Sequence, residues 1–186
     1  NDQLDLIIEQ SSVQKLGQNV DQFAPVSTKR QHATDTVRFV NNTYLPFIGT
    51  HNLNVDAVFS TPNNKQDPAQ RKTTNYRPKL IFNQIEFEEE STETNISCVG
   101  KDGNEYHMVP INLAEKTVRV NCDCLDFYWR FKSYNAKDQS LAGRAPPPYK
   151  KSPTSTRGPS NEKRVPGLCK HLLKTIEALK QAKMVT

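Results

Sequence analysis

Hydrophobic positions along this chain alternate with polar ones more often than they recur at helical spacing, and they do so in short runs. Val37, Phe39 and Val40 form a first β-rich run, and Leu53, Val55, Ala57 and Val58 a second. From Thr61 to Arg77 the chain is polar and basic without a period, which predicts a loop. Leu80-Ile81-Phe82, Ile85 and Phe87 then predict one longer strand, closed by the acidic run Glu88-Glu89-Glu90. Ile96 and Cys98 precede Lys101-Asp102-Gly103-Asn104, and Tyr106 and Met108 follow it. That is a hairpin signal, because Asp-Gly tolerates the positive φ of a tight turn. Val118 and Val120 alternate into Cys122 as a last strand. Five or six short strands with loops between them predict a small β-sandwich or partly open barrel.

The two ends break this pattern. Residues 1–35 are polar apart from Leu4, Leu6, Ile7 and Ile8, an island whose spacing fits a helix start and a strand equally. The region is expected to be an arm that packs on another surface, with another chain as one candidate. The stretch 137–165 holds Pro146-Pro147-Pro148, Pro153 and Pro159, a density that no helix interior or central strand survives. After Pro166-Gly167, the residues Leu168, Leu172, Ile176 and Leu179 recur at helical spacing, predicting a closing amphipathic helix of about three to four turns. The expected class is α+β: an arm over 1–35, a small antiparallel β-rich domain over 36–116, and a strand/helix module over 117–186 that carries the insertion 137–165.

Composition sharpens this picture in two ways. The hydrophobic share of the 186 residues is 35%, which permits a core but a lean one, of the kind that gains from a metal or a partner. No apolar run approaches the roughly 18 residues of a membrane span, so no membrane partner is expected. The formal charge of +5 is unevenly spread: residues 1–136 hold 14 Lys/Arg against 17 Asp/Glu, and residues 137–186 hold 11 against 3. The basic excess of the last fifty residues suits phosphate or an acidic protein surface, but on charge alone a solvated basic loop is the favoured reading.

Two short pairs carry the chemistry. Cys122-Asp123-Cys124 follows the last strand, and Cys169-Lys170-His171 opens the last helix. Two sulfurs spaced C-x-C meet one tetrahedral ion if the chain turns sharply between them, and a Cys before a helix with a His in its first turn supplies the other corners. Three thiolates and one imidazole fill a zinc shell and leave no open position, so the ion would be structural. Two blander readings compete. A buried Cys often serves as a small apolar residue, and four cysteines are an even number for disulfides. A Cys122–Cys124 bridge would be strained, however, and any disulfide scheme leaves His171 unexplained.

Beside these pairs run Phe127, Tyr128, Trp129, Phe131 and Tyr134, with Asp126 placed to cap a helix. The rings read as a small core around the metal, or as a stacking platform beside Arg130 and Lys132. Cys98 is expected to be a core residue and His107 a sheet-surface residue. Glu86, Glu88, Glu89 and Glu90 read as a solvated strand end. No Gly-rich phosphate loop, GxSxG, HExxH or nucleophile–base pair occurs, and the chain is expected not to be an enzyme.

The CxC…CxH pattern of Cys122, Cys124, Cys169 and His171 resembles the SWIM zinc-finger family, whose modules bind zinc and contact nucleic acid or protein. The resemblance covers about the last 65 residues and implies one structural zinc ion. In this chain 44 residues separate Cys124 from Cys169, a longer gap than is usual in that family, and the excess is the Pro-rich insertion. Each doubling of a loop costs only ~0.6 kcal/mol, so the insertion is tolerable. The runs Cys122–Phe131 and Val165–Leu172 are further similar to SWIM-bearing virion proteins of tailed bacteriophages. That likeness implies a zinc-stabilised structural subunit of a neck, tail or baseplate, located in the virion, whose partners are other protein subunits. The alternative is a nucleic-acid-binding zinc module that meets DNA through the basic C-terminal region.

Overall fold

A computed structural model describes residues 10–23, 37–62, 67–70, 72–148, 150–156 and 158–186. The apolar island at residues 4–8 lies outside them, as does His32. The class is α+β, with two antiparallel sheets and a few helices.

The first sheet is built on a long strand, β2 (Asn52–Pro62), whose strict burial alternation puts Leu53, Val55, Ala57, Phe59 and Thr61 on its inner face. On one side β2 pairs with β1 (Arg38–Phe47), with a bulge at Val40. On the other side it is long enough to take two short strands end to end: β3 (Thr73–Tyr76) pairs with its last four residues and β4 (Lys79–Phe82) with Leu53–Asp56. The sheet ends in β8 (Val118–Asn121), paired with β4. The second sheet has the order β5 (Phe87–Glu88), β7 (Glu105–Met108), β6 (Ile96–Val99). β6 and β7 are the expected hairpin, and Gly103 takes the positive φ of its turn, +82°.

Two expectations are corrected. The stretch Leu80–Phe87 is not one strand. Gln84 adopts a left-handed φ of 57°, and Asn83 is tied to Thr117 through both backbone and side chain, so β4 and β5 part into different sheets. Nor is 61–77 a structureless loop: Thr61 is still in β2, and β3 lies within it. β3 shows no apolar alternation because three of its four residues are exposed.

Residues 10–23 of the expected arm fold back on this chain. Helix α1 (Val13–Val20) is capped by Ser12, whose Oγ accepts from Lys15 N, and it buries Val13, Leu16 and Val20 in the core. The backbone of Ser11 and Ser12 covers the start of β8's outer edge, and Ser140–Ala142 cover its end, with Val120 donating to Ser140 O and accepting from Ala142 N. An edge that would otherwise invite another strand is thus closed within the chain.

The boundary expected at 116/117 runs just before β8, a strand hydrogen-bonded into the first sheet. One hydrophobic cluster spans it, from Leu53, Leu80 and Met108 to Phe127, Leu168 and Leu172. The last helix, α4 (Lys170–Gln181), buries Leu172, Ile176 and Leu179, as its spacing predicted. Behind it Val185 bridges to Ile111, which fixes the end of the chain. Among the described residues no helix is long and apolar enough to cross a membrane.

Candidate metal centre

The four residues singled out by the sequence come together. Their donor atoms (three Sγ and one ring nitrogen) all lie within 4.8 Å of one another, and all four side chains are buried. His171 Nδ1 sits 3.8 Å from Cys122 Sγ and 4.0 Å from Cys169 Sγ. A tetrahedral ion with metal–sulfur bonds of ~2.3 Å needs donors about 3.8 Å apart, so the cluster has the size of one metal ion.

Each ligand is delivered by an element whose own residues explain its course. β8 runs into Cys122. The chain then turns at Asp123, where Arg77 N donates to Asp123 Oδ1 at 2.8 Å and ties the turn to the segment between β3 and β4. Cys124 is the N-cap of α2 (Leu125–Arg130), its Sγ accepting from Phe127 N at 3.3 Å. The expected cap, Asp126, lies instead in the first turn and forms an ion pair with Arg130 at 2.7 Å. A thiolate at a helix N-terminus gains from the same free N–H groups that a capping carboxylate would use. Cys169 is the N-cap residue of α4 and His171 is in its first turn.

Three buried asparagines hold the return segment that brings Cys169 and His171 back across the insertion, each through amide-to-backbone bonds. The Asn135 amide, on α3 (Lys132–Lys137), accepts from Gly167 N at 2.9 Å and donates to Gly167 O at 3.2 Å. Asn19 Nδ2 donates to Pro166 O, and Asn161 Nδ2 donates to both Val165 O and Arg130 O. Gly167 lies so close to Phe131 that a Cβ there would fall 2.5 Å from the ring. Sequence reasoning missed these asparagines. Their only signal was a polar residue inside an apolar pattern, as at Asn135 between Tyr134 and Ala136.

The histidine is oriented by the β-rich part of the chain. Its Nε2 lies 3.1 Å from Thr61 Oγ1 on β2, and the Tyr76 ring on β3 stacks on it at 4.3 Å and 29°. With Nε2–H donating to Thr61, Nδ1 carries its lone pair toward the three sulfurs, the arrangement a metal-binding histidine requires.

The thiols restrain one another. Burial first, and then Cys122 and Cys124, push the Cys169 thiol well above its ordinary range. Cys122 goes up chiefly through its hydrogen bond with Cys124. Cys124 is held far down by hydrogen bonds from Cys122 and then Cys169. A divalent cation among the three sulfurs would remove their mutual repulsion and admit all three as thiolates. Cys122, Cys124 and Cys169 are free thiols in this geometry.

The aromatic run divides. Phe127 and Phe131 are fully buried beside the cluster, and each such ring contributes about 1.5–3 kcal/mol by burial. Arg130, a neighbour of the rings in the stacking reading, is also buried, with its guanidinium 4.4 Å from the Phe131 ring centre. Tyr128 and Tyr134 are half-buried, and Trp129 is 54% exposed. Cys98 is a core residue as expected, its thiol pushed up to about 11 by burial. His107 lies on the outer face of the second sheet, 2.7 Å from Ser97 Oγ. Comparison with protein-family models, with curated proteins and with solved structures finds no match to this chain.

Proposed function

We propose that Cys122, Cys124, Cys169 and His171 hold one zinc ion, and that the ion is structural. The observation that carries this is the convergence of three sulfurs and one nitrogen within 4.8 Å in a buried site, with His171 turned by Thr61 to present Nδ1. Thiolate and imidazole are the donors zinc prefers, and four protein ligands leave no position for substrate or water. The ion would clasp β8, α2 and α4 together, closing the 44-residue gap between Cys124 and Cys169. Elemental analysis of the purified protein tests this: about one zinc per chain is expected, and a metal-free protein with an intact α4 overturns it.

Around that centre the chain reads as a non-enzymatic assembly subunit. Its place in a tailed-phage virion, among other protein subunits, rests on the likeness of residues 122–131 and 165–172 alone. Exposed apolar residues at Leu125, Trp129, Val99 and Val109 support contacts with protein. The nucleic-acid alternative draws on the basic residues of the insertion, but it loses Phe127, Arg130 and Phe131 to the core. A salt titration with single-stranded and duplex DNA separates the two. Tight binding at physiological salt, abolished when Lys150, Lys151, Lys163 and Arg164 become Ala, would promote the alternative.

A further inference from the structure

Two outward faces of this molecule match in apolar character and oppose in charge. The first belongs to the second sheet. Pairing of Glu88 with His107, of His107 with Ser97 and of Glu105 with Val99 puts these side chains on one face, since cross-strand partners share a side. Phe87, Met108, Ile96 and Cys98 take the other side, toward the core. Val109, two residues beyond His107, continues the outward series and donates its N–H to Glu86 O at 2.9 Å. The face therefore presents carboxylates at Glu86, Glu88 and Glu105 around exposed Val99 and Val109. Among the described residues one cation is ion-paired to it, Lys116 on Glu86.

The second face lies on α2 and the start of the insertion. Leu125 and Trp129 are one helical turn apart and 73% and 54% exposed. Beside them a groove of about 600 Å³ is lined by Tyr128, Lys132, Arg144, Ala145, Pro146 and Pro147. Among the described residues no carboxylate forms an ion pair with Lys132 or Arg144. Large apolar and aromatic side chains flanked by Arg are the composition of a protein contact rather than of a solvated surface.

We infer that the Trp129–Arg144 face of one copy of this chain docks on the Glu88–Glu105 face of another. The occupant is argued from charge complementarity: the chain itself carries the acidic, valine-bearing surface that its basic, tryptophan-bearing surface fits. Because the two faces differ, the contact is head-to-tail and builds a ring or a row rather than a closed pair. This rests on the assembly reading above and names its partner. A contact of about five residues a side is smaller than a permanent interface, so association is expected to depend on concentration. It is also expected to weaken with salt, because its charges lie at exposed positions.

Sedimentation velocity of the zinc-loaded full chain tests it. The wild type is expected to self-associate progressively, at least ~10-fold more weakly at high salt than at low salt. Two variants, Lys132→Gln/Arg144→Gln and Glu88→Gln/Glu105→Gln, each disable one face and are expected to sediment as monomers with unchanged zinc content and circular dichroism. Mixed together they retain one good face each, and a 1:1 dimer that grows no further is expected. A wild type that stays monomeric at high concentration and low salt overturns the inference, as do variants that associate like the wild type. A monomer that instead binds single-stranded DNA through Lys132 and Arg144 gives the groove to nucleic acid. Zinc content is measured on the same samples, so a zinc-loaded monomer sinks the self-contact and leaves the metal reading standing.

Discussion

The contact between Thr61 and His171 offers a sharp test of how the metal centre is built. Thr61 is 8% exposed and His171 2%, so the bond between them is shielded from water. Substituting Thr61→Val keeps the shape and deletes the hydroxyl, leaving Nε2–H buried without the acceptor it now has 3.1 Å away. An orphaned buried donor costs about 1–3 kcal/mol. That cost appears only when the imidazole is fixed with Nδ1 on the metal, and so it should emerge as weaker metal binding. Converted at ~1.4 kcal/mol per decade, it predicts a loss of roughly 5- to 140-fold in affinity. Outer partners of metal-bound histidines generally carry about 10- to 100-fold, so two independent routes agree. The assay is competition for zinc with a chromogenic chelator of known affinity. Thr61→Ser, which keeps the oxygen, should stay near the wild type. Equal affinity for Thr61→Val and wild type would show that Nε2, not Nδ1, faces the metal, or that the ring is held by Tyr76 alone. A Thr61→Ser variant as weak as Thr61→Val would assign the effect to the lost methyl instead.

Two further outcomes follow from the packing. Gly167→Ala sets a Cβ against the Phe131 ring, and overpacking of this kind costs about 1–3 kcal/mol. Chemical denaturation should show a lower midpoint, and an unchanged midpoint would mean that the return segment has room the structure does not show. Cys98, whose thiol is pushed up to about 11 from an ordinary 9.0, stays protonated in the folded chain after the unfolded chain has ionised. Stability should therefore fall as pH rises from about 9 to 11 and level off above that. Cys98→Ala should flatten this decline in denaturation curves taken across the range, and an identical slope in both proteins would refute it.

Much of the centre was legible because its chemistry is local. C-x-C after an alternating strand and C-x-H at the head of an amphipathic helix are patterns of adjacent residues, and the structure brings all four donors together. The split between buried Phe127 and Phe131 and exposed Trp129 also follows a helical period, though the mixed run of rings hid it. What could not be read is what touches the site from far along the chain. Thr61 extends the inward alternation of β2 as a polar residue just past its apolar run, and Tyr76 lies on a strand that is exposed on most of its residues and leaves no alternation to find. Asn135, Asn161 and Asn19 hold Val165–Gly167 by amide-to-backbone bonds that span up to 147 residues, and such bonds have no sequence period at all.

The sequence by itself determined the donor set, the strand that ends in it, the hairpin at 96–108 and the helix that closes the chain. Each of these depends on side chains a few positions apart, where propensity and spacing act directly. Only the tertiary structure decided that residues 10–23 fold back, that the strand after Lys79 breaks at Gln84, and that β8 joins the first sheet. It alone turned the histidine toward the sulfurs, because that orientation depends on a hydroxyl 110 residues away meeting the buried imidazole nitrogen.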